Sequence, residues 1–195
     1  TACPVGIETG LLIKALRGGV ATAPGLKGIT AEARDLFRRP LSAAELKGVE
    51  AEGKVLIDSE QHRIPVTFCC LDAPARSWLR LGLLHLDGGR VGDRQVVPAQ
   101  WMKDVITPSP TNPNYGYFTW LGTQWEKNRR YNSKSSATAF HSEPFAAPDL
   151  IYFDGFGGQR VYIVPSKQLV IVHTGPMRQD WDDAILPNMI IRALP

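Results

Sequence analysis

The sequence predicts an α+β fold in which an antiparallel sheet is flanked by helices. Two observations support this prediction. Three runs rich in β-branched and aromatic residues follow one another through short turns in the last third of the chain. Segments with helical apolar spacing precede and follow these runs. Strands that are joined by tight turns pair antiparallel, so strands and helices are expected in separate layers.

The composition is that of a folded protein. The 195 residues are 44% hydrophobic and 21% charged, with a formal net charge of +3, which excludes disorder across the whole chain. Basic residues are scattered along the sequence and not concentrated on one face, so no nucleic-acid partner is expected. No apolar run reaches the ~18 residues that span a bilayer, so no membrane span is expected.

Residues 1–53 are expected to form a mainly helical N-terminal segment. The apolar residues of Ile7–Leu16 have helical spacing, and two glycines then end that helix. Farther along, Ser42 and Glu45 fit a capping box, in which each side chain bonds to a free backbone amide of the first helical turn. Residues 54–195 are expected to form the sheet-and-helix part of the domain.

The first half of this second part is predicted to mix strands with helices. Lys54–Asp58 and Val66–Leu71 are predicted strands, and Asp72 is expected to cap the strong helix that follows. Trp78 and Leu83 belong to the buried stripe of that helix. The next predicted elements are a hairpin through Gly92-Asp93, a helix from Pro98 and a strand over Tyr115–Leu121.

The remaining residues divide into an irregular stretch and a regular one. Thr123–Asp149 lacks apolar periodicity and is predicted as a long surface loop. Its basic run Lys127–Lys134 is interpreted as hydrated, with a substrate-gating lid as the alternative. The regular stretch is predicted to contain strands over Leu150–Phe153, Gln159–Val164 and Leu169–His173, then a terminal helix that opens at Asp180 and is interrupted at Pro187.

Self-contained catalytic and metal-binding patterns are missing from the sequence. No Gly-x-Ser-x-Gly elbow, Ser-x-x-Lys motif or Walker-type loop occurs. The three cysteines give no even disulfide framework, and neither they nor the four histidines have the spacing of a zinc site. No metal and no cofactor is therefore expected.

The order of several segments resembles a known family. The segments are Phe68–Leu71, Ala75–Leu84, Tyr115–Tyr117, Asp154–Pro165 and Leu169–Gly175. In order and spacing they resemble the C-terminal half of serine hydrolases related to class C β-lactamases, which include penicillin-binding-protein-like esterases and aminohexanoate-oligomer hydrolases. The resemblance covers roughly Lys54 to Leu186 and implies a partial β-lactamase/transpeptidase-like fold.

The resemblance also implies a mechanism. In that family a serine of Ser-x-x-Lys attacks a carbonyl to give an acyl-enzyme, and the lysine and the tyrosine of a Tyr-x-Asn motif move protons. A third motif on an edge strand helps to bind substrate and supplies part of the oxyanion hole. This sequence has neither Ser-x-x-Lys nor Tyr-x-Asn. The nucleophile is therefore expected in an N-terminal portion that is missing from this chain.

The third motif is placed at Phe156, Gly157 and Gly158, as substrate-binding residues for a small amide or ester. The backbone N–H of Gln159 is the candidate oxyanion donor. Phenylalanine stands where many relatives have a basic residue or histidine, which disfavours a carboxylate-bearing β-lactam substrate. His173-Thr174-Gly175 reads like a variant of the motif, but it ends the last predicted strand, so a structural turn is favoured.

Two tyrosines complete the candidate site. Tyr115 and Tyr117 are two residues apart on a predicted strand and are expected on one face of it, where they would line a pocket. Two rings packed in the core are the alternative interpretation.

Two other functions stay open at this point. A non-catalytic homologue or assembly partner would bury its sheet against another chain. An N-terminal-threonine hydrolase would use the amine of Thr1 as its base, but Ala2-Cys3-Pro4 do not begin the strand that such a nucleophile requires.

Overall fold

The structure is a computed structural model that describes residues 12–15, 54–55 and 71–194, with side chains described from Ala73 to Leu194. Its largest element is a five-stranded antiparallel sheet. The strands in chain order are β1 (Leu12–Ala15), β2 (Lys54–Val55), β3 (Leu71–Asp72), β4 (Arg90–Val91), β5 (Arg94–Gln95), β6 (Trp120–Leu121), β7 (Asn128–Arg130), β8 (Thr138–Phe140), β9 (Ile151–Gly155), β10 (Gln159–Val164) and β11 (Leu169–His173). The helices are α1 (Ala75–Leu86), α2 (Ala99–Asp104) and α3 (Ile185–Ala193).

The large sheet has the order β1-β11-β10-β9-β6. Its three central strands follow one another along the chain, as their β-branched runs predict. Tyr162 lies opposite Tyr152 on one side and opposite Ile171 on the other, which fixes the register of these strands. Smaller two-stranded sheets join β2 to β3, β4 to β5 and β7 to β8.

Helices cover both faces of the sheet, so its central strands are apolar on both faces. The core on the first face joins Leu79 and Leu83 of α1 to Val161, Ile163, Val170 and Val172. The core on the second face joins Ile190 and Ile191 of α3 to Tyr152, Tyr162, Leu169 and Ile171. The predicted α+β class, an antiparallel sheet flanked by helices, is confirmed.

Helix α1 begins two residues later than the sequence analysis expects. Pro74 is its N-cap residue, and no side chain bonds to the first turn. Asp72, the predicted cap, instead pairs with Lys54 in the small β2–β3 sheet. Proline fits this place because the first helical amides have no partner within the helix.

The prediction of a helix over Ile7–Leu16 is wrong where the structure describes it. Leu12–Ala15 is a strand that pairs antiparallel with β11, from Leu12 opposite Val172 to Ala15 opposite Leu169. Pairing at this edge satisfies backbone groups of β11, and such tertiary contacts override a local helical pattern. The other predicted elements of residues 1–53 and most of Val66–Leu71 lie outside the described residues. The boundary at residue 54 stays a prediction.

Three further predictions need correction. Thr123–Asp149 is not a plain loop, since it contains the β7–β8 hairpin. The predicted strand Tyr115–Leu121 shrinks to β6, because Tyr115 forms a bridge to Trp120 and the chain between them turns back. Pro187 does not interrupt α3, because it is the third helical residue, where an amide has no partner in the helix.

In the part of the chain that the structure describes, every helix is too short or too polar to cross a membrane.

Candidate functional site

The predicted third motif forms the tight turn between β9 and β10. Phe156–Gly158 make one turn of 3₁₀ helix, and the side chain of Phe156 is 81% exposed. Gly157 has φ 72° and Gly158 has φ 88°, a left-handed conformation that favours glycine. A Cβ on Gly157 would also lie 2.5 Å from Cγ of Met177. The turn therefore requires its glycines for both backbone shape and space.

The side chain of Gln159 fixes the turn to the segment after β11. Its Nε2 donates to the carbonyl of Gly175, and its Oε1 accepts from the Gly175 amide, both at 2.9 Å. The side-chain amide thus makes the two hydrogen bonds, one donated and one accepted, that a residue of a neighbouring strand would make with Gly175. The Arg178 amide donates to the Gly157 carbonyl at 2.9 Å and holds the turn from its other side. The backbone N–H of Gln159 as oxyanion donor stays a prediction.

The side chain of His173 also contacts the turn. Its Nδ1 lies 2.9 Å from the Gly158 carbonyl, which can only accept, so Nδ1 carries the proton. Its ring stacks on Trp181 at 4.1 Å, and the indole N–H of Trp181 donates to the Tyr162 hydroxyl. Burial lowers the pKa of His173, against the opposing effect of its bond to Gly158. His173 is therefore a neutral strand-end residue, as the sequence analysis favours.

The two candidate tyrosines do not lie together. Tyr115 packs on Trp120 with ring centroids 4.5 Å apart, at the edge of the core. Tyr117 is exposed and stacks on Trp101 at 5.5 Å. They separate because residues 115–120 form a turn, where side chains do not alternate as in a strand. Among residues 71–194 no ring contact joins either tyrosine to Phe156, and their part in substrate binding stays a prediction.

A buried cluster of charges lies on the α3 face of the sheet and was not predicted. Arg160 contacts Asp154 at 2.8 Å through Nη1 and Asp183 at 2.6 Å through Nε. Arg129 reaches the same two carboxylates only at 3.4 and 3.6 Å, through Nη2. All four side chains are at most 5% exposed. Two arginines balance two aspartates, so the cluster has no formal net charge.

Aromatic side chains enclose this cluster. The guanidinium carbon of Arg129 lies 3.4 Å from the ring centroid of Trp120, a cation–π contact. The Tyr131 hydroxyl donates to Asp154 at 2.9 Å, and burial raises the pKa of Tyr131 to about 12. Burial, then the nearby charge of Arg129, lowers the pKa of His141 to about 4. These groups keep fixed protonation states near neutral pH, which suits a structural network.

The sequence does carry a signal for half of this cluster. Asp154 and Tyr152 lie two residues apart on β9, and Arg160 and Tyr162 lie two apart on β10, so each pair shares one face. A charge on the apolar face of a buried strand requires an opposite charge. No comparable pattern marks Arg129, because its basic run is typical of a solvated loop.

The described residues offer no metal centre. Across residues 12–15, 54–55 and 71–194, no group of three or more His, Cys, Asp or Glu side chains is placed to hold a metal ion.

No family model matches the chain, and no curated protein matches it. Among solved structures, the chain is similar to a putative 6-aminohexanoate-dimer hydrolase from Bacillus anthracis, with 20% sequence identity and a TM-score of 0.45. That match covers 69% of this chain and 31% of the other. The chain thus spans about a third of the length of the hydrolase it is similar to.

Proposed function

We propose that this chain is the sheet-and-helix portion of a serine hydrolase that cleaves amide or ester bonds through an acyl-enzyme. The nucleophile, in a Ser-x-x-Lys motif, is supplied by residues outside this chain. The observation that carries the proposal is the Phe156–Gly158 turn, whose two glycines are left-handed and which is held by Gln159, His173 and Arg178. Acyl transfer requires backbone N–H donors that are already oriented before charge develops on the carbonyl oxygen.

The proposed reaction has two steps. The serine oxygen bonds to the substrate carbonyl carbon and loses its proton. Collapse of the tetrahedral intermediate then breaks the C–N or C–O bond, and the leaving nitrogen or oxygen takes up that proton and departs as an amine or an alcohol. Water then attacks the acyl carbon, the bond from that carbon to the serine oxygen breaks, the serine oxygen takes up a proton from the water, and a carboxylic acid is released. The Gln159 N–H stabilises the oxyanion in both steps, and the exposed ring of Phe156 offers apolar contact without charge.

A pair of variants tests the oxyanion role of Gln159 in the protein with its nucleophile. Gln159 has φ −69°, which proline adopts without strain, so Gln159→Pro removes the N–H while it keeps the backbone shape. Loss of one oxyanion donor is expected to lower kcat by about 10²–10³-fold. Gln159→Ala is the matched control, because it loses the side-chain bonds to Gly175 and keeps the N–H. Equal kcat values for the two variants would contradict the assignment.

Active-site labelling tests where the nucleophile lies. A fluorophosphonate is expected to label a serine of a longer protein that contains Ser-x-x-Lys, and to leave the 195-residue chain unlabelled. Labelling of the isolated chain at a serine would overturn the proposal.

A second candidate is a non-catalytic homologue or assembly partner. Exposed apolar side chains at the turn favour it, since Phe156 and its neighbour Met177 are both exposed. A longer protein that binds this chain but resists labelling would support the second candidate and count against the first.

A further inference from the structure

We propose that the cleft between the β7–β8 hairpin and β9 binds the carboxylate of a small molecule, with Arg129 and His141 as its donors. This site lies on the α3 face, and it does not depend on the proposed hydrolase function. Both residues line a cleft to which Leu121, Trp125 and Phe145 also contribute.

Arg129 carries the least compensated charge of the buried cluster. The short contacts of Asp154 and Asp183, 2.8 and 2.6 Å, both go to Arg160. Arg129 is left with contacts of 3.4 and 3.6 Å, through a single nitrogen. Its side chain is 3% exposed and stacked on Trp120, so it cannot turn outward to water. A buried cation in this position favours a further anionic partner.

Hydrogen-bonding groups point to the same conclusion. Nε and Nη1 of Arg129 and Nδ1 of His141 are buried and have no hydrogen-bond partner among the described residues. The His141 Nε2 lies 3.2 Å from the Tyr152 hydroxyl, which can donate to it and leave the proton on Nδ1. Both arginine nitrogens and that imidazole nitrogen then act as donors. The one unpartnered buried acceptor beside them is Asp183 Oδ2, which lies 3.6 Å from Arg129 Nη2 and 3.7 Å from His141 Nε2. The three unpartnered donors outnumber it, and an excess of donors matches the oxygen atoms of a carboxylate.

The size and lining of the cleft limit the ligand. The space that the centre of a water-sized group can occupy in the cleft is about 10 Å³, enough for one water molecule, and the cleft with its open mouth has about 230 Å³. One carboxylate oxygen therefore enters this space, and the rest of the ligand lies against the apolar side chains that line the cleft. Glu126 also lines the mouth and is exposed, so its charge opposes an anion there.

Acetate is the probe that tests this site. In the folded protein, acetate is expected to shift the NMR signals of Arg129 Nε–H and the His141 ring in a saturable manner. Acetamide has the same shape without the charge and is expected to bind about tenfold more weakly, since charge-assisted hydrogen bonds are about twice as strong as neutral ones. A linear response to acetate, or an equal response to acetamide, would mean that the cleft holds only an ordered water and would overturn the proposal.

A pair of charge variants makes the test specific. Glu126→Gln is expected to tighten acetate binding by about threefold, because it removes a like charge at the mouth and keeps the oxygen that accepts from Asn114. Asp93→Asn removes a charge from the exposed β4–β5 turn and is expected to leave the affinity unchanged. The same effect from both variants would show only a response to net charge and would contradict a built site.

Discussion

At the scale of single residues, Arg160 organises the buried charges of the sheet. Its guanidinium also donates to the carbonyls of Gly155 and Gln159, at 2.8 and 2.9 Å, on either side of the glycine turn. The same residue thus joins two aspartates to the two residues that flank the turn. The position of the turn relative to α3 therefore depends on an ion pair and not on apolar packing alone.

Removal of one partner from this ion pair is expected to be costly. Asp183→Asn leaves Arg160 and Arg129 with one carboxylate, and loss of a buried partner typically costs about 3 kcal/mol of unfolding free energy. Asp180→Asn is the control, because its pair with Arg178 is exposed and is expected to contribute little. Urea unfolding of both variants measures the difference. Equal free energies of unfolding would show that the buried pair is no stronger than the exposed one.

Phe118 lies in the turn between the bridged residues Tyr115 and Trp120. Its φ of 52° is left-handed, and its side chain is 69% exposed, so the backbone is strained for little packing. Phe118→Asn is expected to raise the unfolding free energy by about 0.5 kcal/mol, since asparagine tolerates this conformation. Tyr117→Asn, the neighbouring control, loses the stack on Trp101 and is expected to lower stability. A thermal melt that places both variants below the parent would contradict the strain argument.

At the scale of elements, α1 is held close to the sheet by Gly82. A Cβ on this residue would lie 2.5 Å from Val170 Cγ1 and 3.1 Å from Val161 Cγ1. Alanine would gain up to ~1 kcal/mol of helix propensity. Overpacking of a filled core costs about 1–3 kcal/mol, so the steric cost of the added methyl group exceeds the gain in helix propensity. Only a residue without a side chain lets the helix approach this near.

Gly82→Ala is therefore expected to lower the unfolding free energy by about 1–2 kcal/mol. A double-variant cycle with Val170→Ala tests the cause, because the smaller side chain makes room for the new methyl group. The double variant is expected to be more stable than the sum of the single effects. Strict additivity of the two effects would place the cost somewhere other than this contact.

Elements with a complete apolar pattern were predictable, and elements defined by distant partners were not. The strands β10 and β11 have uninterrupted apolar runs and were predicted at their observed bounds. Four residues of β1 give too little pattern to separate a strand from a helix, and pairing with β11 decides between them. All three residues of β7 are polar, and only Arg129 is buried, because it pairs with aspartates far along the chain.

In the candidate site, the place of the glycine turn was predictable from the sequence, and the positions of the two tyrosines were not. The glycine turn lies between two recognisable strands, so its place in the sheet followed from the sequence. The positions of Tyr115 and Tyr117 did not, because a left-handed residue between Tyr117 and Trp120 turns the chain back on itself. A positive φ at phenylalanine has no sequence signature, since glycine or asparagine is usual there.

At the scale of the whole molecule, stability is expected to fall in mild acid because two histidines are held neutral. Burial lowers the pKa of His85 to about 4, and burial with the charge of Arg129 lowers that of His141 to about 4, from an ordinary value of 6.5. The unfolded chain therefore binds protons near pH 6.5, and the folded chain does not until about pH 4. The stabilisation is complete above pH 6.5 and is lost as the pH falls toward 4.

Each histidine contributes up to about 3 kcal/mol to this loss, the free energy that corresponds to its pKa shift. Asp183 opposes this loss of stability. Burial raises its pKa, so the folded protein takes up a proton at this residue more readily than the unfolded chain as the pH falls. Urea unfolding at about pH 7 and about pH 5 measures the net change in unfolding free energy. His141→Gln and His85→Gln are each expected to remove part of the difference between the two pH values, and together most of it. An unfolding free energy that is the same at both pH values would show that neither histidine is held neutral by the fold.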